Sequence, residues 1–539
     1  MSTEDTTTDR LQRTTRHRFD QLKGQLFEAL LVVATLVGIV SLLVLFGYIA
    51  LDAFQPMTAS AQWYLLYFGT LVAPSAAFTL YARRRPAVRA ANARAFAVVF
   101  GSLAVSLVTY VVVDSLSPYD VLIYALFGAI PPVLIGLYGR ERHSQLTGPA
   151  IPVSILLGLA LAGGLYGVLR PIVGLTAHWI AYVGIVTLPV AAILGALETH
   201  RRSRREGAFV ATAVFLVTLA VAVGGLATGR DPSLWVVLTS AFVLPVGYVV
   251  GETVLTDEEG RIGVLGPFIV IGGVLLGAAL ERALGIQGLE GFLTPSLLLN
   301  SWDGLNAINA GVYPQIVGSI VIVGFMSIMA FPVGIGAAVY LEEYAPKTGP
   351  FGRLATLLEV NISNLAGVPS VVYGLLGLAL FRNTLGFGSG VVIAAAGTLG
   401  FLILPIVVVS TQEAIRAVPN SLRDAAYGMG ASRWQVLRGV VLPRAVPGVL
   451  TGTILSLARA IGETAPLVII AVATTTYTPP SGLFSSATAL PLQIFAARSN
   501  VDAAFRHGVV PAAAIVLLAL MLAMNASAVL IRNRFDREH

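Results

Sequence analysis

Cysteine is absent from all 539 residues of the sequence. The chain therefore has no disulfide framework, no thiolate metal site and no cysteine nucleophile. Charge is also scarce, since Asp, Glu, Lys and Arg make up 12% of the residues, against about 25% in a typical soluble domain. Hydrophobic residues make up 56% of the chain. This composition predicts an integral membrane protein.

Lysine is almost absent as well, with only Lys23 and Lys347. ATP hydrolysis needs a phosphate-binding loop of the form G-x-x-x-x-G-K-[ST]. Lys347 precedes Thr348, but Pro346 occupies the position of the last glycine. We therefore predict that this chain does not hydrolyse ATP itself. Motifs of intramembrane enzymes, such as H-E-x-x-H, paired buried aspartates or a nucleophile elbow, are also missing, so we predict no catalytic residue, no metal and no cofactor.

Long apolar runs dominate what is present. A helix needs roughly 20 apolar residues to cross a hydrocarbon core about 30 Å thick. Fourteen such runs occur, near residues 27–50, 62–81, 95–113, 119–138, 150–169, 176–197, 208–227, 232–252, 263–281, 316–341, 357–381, 389–410, 448–473 and 508–531. The predicted fold class is therefore all-α, a polytopic transmembrane helix bundle. Gly163 with Gly167, and Gly273 with Gly277, are spaced to permit close helix approach.

Lys and Arg are distributed unequally around these spans. With the N-terminus in the cytoplasm, 27 of the 34 basic residues fall in inner segments, six in outer loops and one, Arg459, within a span. Cytoplasmic loops usually carry such an excess. The sequence therefore predicts a multi-pass protein of the cell (plasma or inner) membrane, with cytoplasmic tails at 1–26 and 532–539. The basic residues lie in short loops rather than on one folded face, so membrane lipid is a predicted partner and nucleic acid is not.

The most informative hydrophilic segment is residues 411–447, on the predicted cytoplasmic side. Its pattern predicts two short helices joined by a glycine turn. Ser421 can cap the first helix, with Asp424 as its third residue. Gly428 and Gly430 tolerate the left-handed backbone that ends a helix.

The second helix of this loop is predicted to begin after Ser432, which can cap it, and to run over 433–442 until Pro443 ends it. In the first helix, one face carries apolar residues at helical spacing, namely Leu422, Ala425, Ala426 and Met429. A short helix with an apolar face in the cytosol needs a protein partner that covers this face.

The segment DAAYGMGASRWQVLRGVVLP resembles the EAA loop of the permease subunits of ATP-driven (ABC) importers. The matching positions are Asp424, Ala425, Ala426, Gly430, Val440, Leu442 and Pro443. Asp stands where that motif has Glu, and Val stands where it has Ile. The resemblance implies that the first helix docks into a groove on a separate ATPase subunit and transmits nucleotide-driven motion to the membrane helices. Alternatively, Asp424 only caps its own helix.

Four further segments resemble the PstA-type permeases of phosphate importers, namely SLARAIGETAPLVI, LNAINAGVYPQIVGSI, LAGVPSVVYGL and ALPLQIF. This resemblance covers about residues 262–531 and implies a six-span type I permease domain that transports phosphate. It also implies three partners, which are an ABC ATPase subunit of the PstB type, a homologous permease subunit of the PstC type and an extracytoplasmic phosphate-binding protein of the PstS type. Residues 27–255, with about eight spans, have no counterpart in it and no assigned role.

Arg459 and Glu463 are the strongly charged residues predicted to lie well inside a span. They are four residues apart, so they would share a helix face and could pair. Arg459 is predicted to lie near the membrane midplane, where transporter sites are common. A guanidinium offers a planar fork of donors that matches a tetrahedral oxyanion. We therefore predict a substrate pathway lined by Arg459, Glu463 and Thr464, with an internal salt bridge that only packs the helix as the alternative.

Other interpretations remain open at this level. One arginine does not distinguish phosphate from sulfate or molybdate. An ion-coupled secondary transporter would usually carry several membrane-embedded carboxylates or histidines, whereas Glu463 stands nearly alone. On the outer side, Arg382 and Arg498 could guide an anion or contact a binding protein, and residues 474–476 could offer threonine hydroxyls, although solvated loop residues are the simpler interpretation.

Overall fold

The computed structural model describes residues 4–135, 147–227, 229, 231–346 and 348–538. Within those ranges, thirteen helices are long and apolar enough to cross a membrane, or fourteen when one bent pair counts as a single span. The only β-structure in the same ranges is two isolated bridges, Val391 with Ser486 and Ala473 with Thr488. The predicted all-α fold class is confirmed. Lys347, Arg230 and the end of the fourth predicted span lie outside the described residues.

The first half of the chain folds into long helices joined by short turns. They are α1 (Glu4–Phe54), α2 (Ala61–Arg83), α3 (Pro86–Ser115), α4 (Pro118–Ile135), α5 (Thr147–Val173), α6 (His178–Arg201), α7 (Arg204–Ala227), α8 (Ser233–Thr256) and α9 (Arg261–Leu284). We call the helix ends that the sequence predicts to be cytoplasmic inner, and the opposite ends outer. Clusters of basic residues stand at the inner ends of α2 and α6, where the pattern of apolar runs predicts loops.

The second half combines long and short helices. They are α10 (Tyr313–Tyr344), α11 (Gly349–Ala366), α12 (Ser370–Thr384), α13 (Val392–Arg416), α14 (Asn420–Gly428), α15 (Arg433–Gly462), α16 (Leu490–Ala497) and α17 (Phe505–Ala526, continuing to Glu538). The core lies where α10, α13 and α15 pack together, and it contains fully buried side chains such as Met326, Leu399 and Ile403.

Two predicted spans have different shapes in the structure. The predicted span 357–381 consists of α11 and α12, whose axes differ by 109°. Pro369 stands in the break and restricts the residue before it to extended backbone, so the helix cannot continue. The predicted span 448–473 is also wrong at both ends, because α15 begins at Arg433 and ends at Gly462.

Six prolines inside the long helices share a local pattern, whereas others, such as Pro332 and Pro405, lie within helices without it. Six of the described helices contain a five-residue π-helical turn with a proline two residues after it, and these are Pro74, Pro131, Pro189, Pro245, Pro443 and Pro511. A proline ring clashes with the carbonyl four residues earlier, and the wider π turn moves that carbonyl away. The prediction that Pro443 ends a helix is therefore wrong, since a π turn over Leu437–Val441 carries α15 past it.

The prolines that follow π turns also show an internal repeat in the N-terminal region. The prolines of α2, α4, α6 and α8 lie at 74, 131, 189 and 245, so they recur after 57, 58 and 56 residues. A fixed period with one structural element per period is the signature of repeated supersecondary units. Each unit here is a pair of consecutive helices, the second of which carries the π turn and proline.

Helix α9 packs against this N-terminal region, although the sequence predicts it to be the first span of the permease domain. A Cβ placed at Gly273 would lie 2.5 Å from the carbonyl oxygen of Thr70 in α2, and one at Gly277 would lie 2.7 Å from the ring of Tyr67. The predicted close approach at these two glycines is confirmed. At Gly163 and Gly167 it is wrong, because no described atom lies within 4 Å of a Cβ built there. The domain limits at 255 and 262 stay a prediction.

Among the side chains of α1 that the structure describes, those that are buried or half-buried lie near its outer end. Residues 24–48 are exposed throughout, whereas Ala53 is buried among residues of the second half. Its carbonyl accepts a hydrogen bond of 3.0 Å from the amide of Phe292. Asp52 lies 3.5 Å from Nδ1 of His507, in the first turn of α17. The first helix of the chain is therefore tied to the last.

The contact between α6 and α7 depends on glycine and yields a stability prediction. A Cβ at Gly207 would lie 1.9 Å from Oγ1 of Thr199 and 2.4 Å from the carbonyl oxygen of Gly195. Overpacking typically costs about 1–3 kcal/mol. Replacing Gly207 with Leu should therefore lower the Tm in detergent by roughly 2–5 °C.

The matched control is Gly224 on the same helix, where no described atom lies within 4 Å of an added Cβ. Gly224→Leu should leave the Tm unchanged, as measured by the loss of the monodisperse peak in size-exclusion chromatography after heating. Equal Tm values for the two variants would contradict the close packing of α6 on α7.

Candidate functional site

Helix α14 is a nine-residue helix on the inner side, between α13 and α15. It begins at Asn420 directly after Pro419, and none of the described side chains caps it. The predicted cap Ser421 is wrong, because Pro419 already supplies the backbone geometry that starts a helix and Ser421 lies within it. Asp424 lies in the middle of α14 and is exposed, so it does not serve as a first-turn capping acid either.

The turn after α14 partly follows the prediction. Gly430 is left-handed, with φ of +82°, whereas Gly428 is still helical. Ser432 caps α15 through a capping box, since its amide donates to Oε1 of Gln435 at 2.7 Å and its Oγ accepts from the amide of Gln435. The predicted left-handed backbone at Gly430 and the cap at Ser432 are confirmed. The prediction of left-handed backbone at Gly428 is wrong.

The apolar face predicted for α14 divides into a buried and an uncovered part. Of the nine described residues of α14, only Ala426 is buried, in a cluster with α13 and the start of α15. Ala425 is exposed, and Met429 just beyond the helix is 83% exposed. Leu442 packs against the inner cluster and Pro443 is half-buried within α15. The predicted loop residues therefore divide between a supporting core and an uncovered surface at Asp424, Ala425 and Met429.

Arg459 and Glu463 form the predicted ion pair, with Nε of Arg459 3.3 Å from Oε1 of Glu463. They do not share a helix face, because α15 ends at Gly462 and Glu463 has extended backbone. Thr464 follows, and its Oγ1 donates to the carbonyl oxygen of Gly462 at 3.4 Å. The Arg459 side chain is 48% exposed and that of Glu463 16%. The structure thus brings the three predicted pathway residues together at the outer end of α15.

Two helix breaks meet beside this pair. The chain breaks after Gly462 and resumes in the short helix Ala465–Ile469, which packs against α12. Gly374 of α12 makes this contact, since a Cβ there would lie 2.9 Å from Pro466. Tyr373 bridges the bend between α11 and α12 by donating a 2.7 Å hydrogen bond to the carbonyl oxygen of Leu365. Discontinuous helices that meet within the membrane are typical of transporter substrate sites.

One face of α15 is exposed along its whole length. The exposed positions recur every three or four residues and are Arg444, Gly448, Thr451, Leu455, Arg459 and Gly462. Burying a charged side chain at the centre of a bilayer costs about 2.5–3.5 kcal/mol on insertion scales. The face that carries Arg459 therefore points towards water or another subunit rather than towards lipid tails.

The outer segment between α15 and α17 is partly buried, although the sequence predicts residues 474–507 to be an outer hydrophilic loop. Leu490 and Gln493 of α16 are buried against α10. Nε2 of Gln315 in α10 donates to Oε1 of Gln493 at 3.1 Å. Among the described residues, Oε1 of Gln315 and Oγ1 of Thr488 are buried without a hydrogen-bond partner. We call Gln315, Thr488 and Gln493 the polar layer, and this layer closes the outer side of the core.

Sequence analysis did not predict this layer or its residues. The glutamines stand in the segments VYPQIVG and LPLQIFA, where a single amide interrupts an apolar run. Such an isolated glutamine is the signal that could have indicated a buried polar contact, because an amide in an apolar core needs a partner.

A group of ion pairs at the inner ends of the helices was also not predicted. Nη1 of Arg423 in α14 contacts Oε1 of Glu343 at the end of α10, and Nη2 of Arg416 lies 2.5 Å from Oε1 of Glu342. Arg416 also contacts Glu359 of α11. These pairs join residues that are 57 to 80 positions apart, from Glu359 to Arg416 and from Glu343 to Arg423, so helix periodicity could not reveal them.

The remaining candidates lie apart from Arg459. Arg382 is exposed at the outer end of α12, and the guanidinium of Arg498 lies 5.5 Å from the ring centroid of Phe495. Thr474 is exposed, and residues 475 and 476 are half-buried in the outer segment. The described residues contain no group of three or more His, Cys, Asp or Glu that could hold a metal ion.

Comparison with known proteins gives consistent matches in the second half of the chain. The family described as "Binding-protein-dependent transport system inner membrane component" matches residues 330–538. The phosphate transport system permease protein PstA of Mycobacterium leprae is 44% identical over 160 residues, which cover 30% of this chain and 51% of that protein. PstA 1 of Mycobacterium tuberculosis (strain CDC 1551 / Oshkosh) is 36% identical over 226 residues, which cover 41% of this chain and 70% of that protein.

This chain thus spans about half the length of the first relative and 70% of the second. Among solved structures, an inward-facing MetNI methionine ABC transporter gives a TM-score of 0.32 at 19% identity, over 42% of this chain and 94% of that chain. A score this low adds nothing to the assignment, which depends on the sequence relatives. By these matches the chain belongs to the binding-protein-dependent transport system inner membrane components, as a multi-pass permease of the PstA type.

Proposed function

We propose that the chain is the transmembrane permease subunit of an ATP-driven phosphate importer. It lines the translocation pathway through Arg459 and couples to a separate ATPase through α14. The observation that carries this proposal is the half-exposed Arg459, which lies where the chain breaks after α15, beside the bent pair of α11 and α12. The substrate follows from the PstA relatives, whose printed names describe phosphate transport.

Arg459 suits transient binding of phosphate. Its guanidinium can donate two parallel hydrogen bonds to a tetrahedral oxyanion. The contact with Glu463 uses Nε and leaves the terminal nitrogens available to an anion from the exposed side. The carboxylate of Glu463 also lowers the local positive potential, so phosphate is bound loosely enough to leave. Thr464 stands next to the pair, and its hydroxyl can donate to phosphate when it leaves the long 3.4 Å hydrogen bond to Gly462.

The polar layer around Gln315 and Gln493 would form the outer barrier of the pathway. Buried polar atoms without partners cost about 1–3 kcal/mol each. Oε1 of Gln315 and Oγ1 of Thr488 regain hydrogen bonds when water enters between α10 and α16. Entry of water at this layer would give both atoms a hydrogen-bond partner, which lowers the cost of opening it.

Membership of this permease family implies an ATPase subunit and a binding protein as partners. We propose that these are of the PstB and PstS types and that a second permease subunit of the PstC type completes the pathway opposite Arg459. ATP is hydrolysed by the separate subunit, because this chain lacks a phosphate-binding loop. Both termini lie in the cytoplasm, as the excess of inner Lys and Arg predicts. The permease domain comprises residues 262–531, with residues 27–255 as an additional membrane region.

Reconstitution of the full chain with these three partners tests the proposal. Proteoliposomes that contain the complex should take up radiolabelled phosphate when ATP and the binding protein are supplied from the appropriate sides. An excess of sulfate or molybdate should leave this uptake unchanged. Competition by either anion would assign the site to that oxyanion instead, and uptake without ATP or ATPase would identify an ion-coupled transporter.

A further inference from the structure

We propose that Arg423 is the positioning residue that transmits movement of the docking helix α14 to the membrane helix α10, through its ion pair with Glu343. This inference rests on the proposed function, because it assigns a route for the motion that an ATPase would impose on α14. It concerns residues that lie outside the EAA-like positions and outside the substrate pathway.

The contacts of Arg423 join three elements. Its Nη1 binds Oε1 of Glu343 at the inner end of α10, and its Nη2 donates a 2.7 Å hydrogen bond to the carbonyl oxygen of Ile415 near the end of α13. The side chains of Arg423 and Glu343 are only 18% and 13% exposed. Removing one partner of such a shielded pair leaves a charge without compensation, so the pair resists separation.

The rest of α14 is weakly attached. Among its described residues only Ala426 is buried, and an alanine contributes little apolar contact. Leu422 is only half-buried, so few apolar contacts would keep α14 from sliding or tilting when a partner pulls on it. The ion pair of Arg423 therefore provides the stiff connection by which displacement of α14 reaches α10.

A second arginine extends this connection to the bent helix pair. Arg416 of α13 lies 2.5 Å from Glu342, next to Glu343, and also contacts Glu359 of α11. Gln412 of α13 donates to the same Glu359 carboxylate at 3.1 Å. Helix α11 then leads to the 109° bend where α12 begins, close to Arg459. Glu343 thus pairs with Arg423 of the docking helix α14. Its neighbour Glu342 pairs with Arg416, which also contacts α11, the helix that leads towards the substrate pathway.

The test compares ATP hydrolysis with phosphate uptake in the reconstituted complex. Arg423→Gln and Glu343→Gln should each lower uptake per ATP hydrolysed by about tenfold, while the amount of bound ATPase stays within twofold of the wild type. The double variant should lose no more than either single variant, because both remove the same connection. Arg438→Gln, at an exposed arginine of the same loop, is the matched control and should change neither quantity.

The alternatives are distinguishable. If the losses of the two single variants multiply in the double variant, or if uptake per ATP is unchanged in Arg423→Gln, the proposed transmission is wrong. If the proposed function is wrong, the wild-type complex itself shows no ATP-dependent phosphate uptake. This result differs from a failure of the proposed transmission, which affects only the variants.

Discussion

Replacing Arg459 with Gln is expected to lower ATP-dependent phosphate uptake by roughly 10- to 100-fold. A hydrogen bond to a charged group contributes about 1.5–3 kcal/mol, and each 1.4 kcal/mol corresponds to a factor of ten. Glutamine keeps a polar side chain on the exposed face of α15, so the packing of this helix against α13 is preserved. The measurement is the initial rate of uptake by proteoliposomes that contain equal amounts of complex.

Two further variants separate binding from packing. Arg444 lies on the same exposed face near the inner end of α15, and Arg444→Gln should leave uptake within about twofold, since a solvated surface charge contributes little. Arg459→Lys should give an intermediate rate, because an ammonium keeps the charge but loses the planar fork. If Arg459→Gln transports phosphate normally, or loses thermal stability in parallel with uptake, the pair with Glu463 is an internal salt bridge and not a substrate contact.

Replacing Ala425 with Arg is expected to abolish capture of the ATPase subunit. Ala425 lies on the uncovered face of α14 beside Asp424 and Met429, so a large charged side chain there blocks a docked surface without disturbing the core. A buried charge without a partner at the centre of an interface typically costs several kcal/mol. The ATPase that copurifies with the tagged chain should fall by at least about tenfold, and ATP-dependent uptake should fall with it.

Ala90 provides the matched control for this substitution. It is an exposed alanine near the inner end of α3, in the additional membrane region. Ala90→Arg should retain the ATPase in the amount seen for the wild type, and both variants should elute as monodisperse protein. An undiminished ATPase band with Ala425→Arg would mean that α14 is not the docking element.

The positions of the spans could be predicted from sequence because the free energy of transferring an apolar run into hydrocarbon depends on the residues of that run alone. The shapes of the spans could not be predicted. Pro369 breaks a helix, whereas Pro443 and Pro447 lie within α15. Pro443 follows a π turn, whereas Pro447 lies within the helix without one, so the presence of a proline does not by itself show whether a helix continues. Glycine spacing was equally ambiguous, since of the two predicted glycine pairs Gly273 and Gly277 meet a neighbouring helix, whereas Gly163 and Gly167 do not.

The candidate site likewise contains contacts that the sequence could predict and contacts that it could not. The pair of Arg459 with Glu463 was predictable because the two residues are close in sequence and charge is rare within spans. The pair of Arg423 with Glu343 was not, because both residues look like ordinary loop charges until the fold brings them together. Gln315 and Gln493 were also missed, since their contact joins two segments that periodicity treats separately.

The tie between the first and the last helix has a consequence for biosynthesis. Ala53 can accept its hydrogen bond from Phe292 earlier, but Asp52 meets His507 only after roughly 450 further residues have been made, which takes about 20–90 s at typical rates of 5–20 residues per second. Helix α1 remains without the contact to His507 throughout that time. Synthesis of α17, rather than insertion of α1, therefore determines when the contact between these two helices can form.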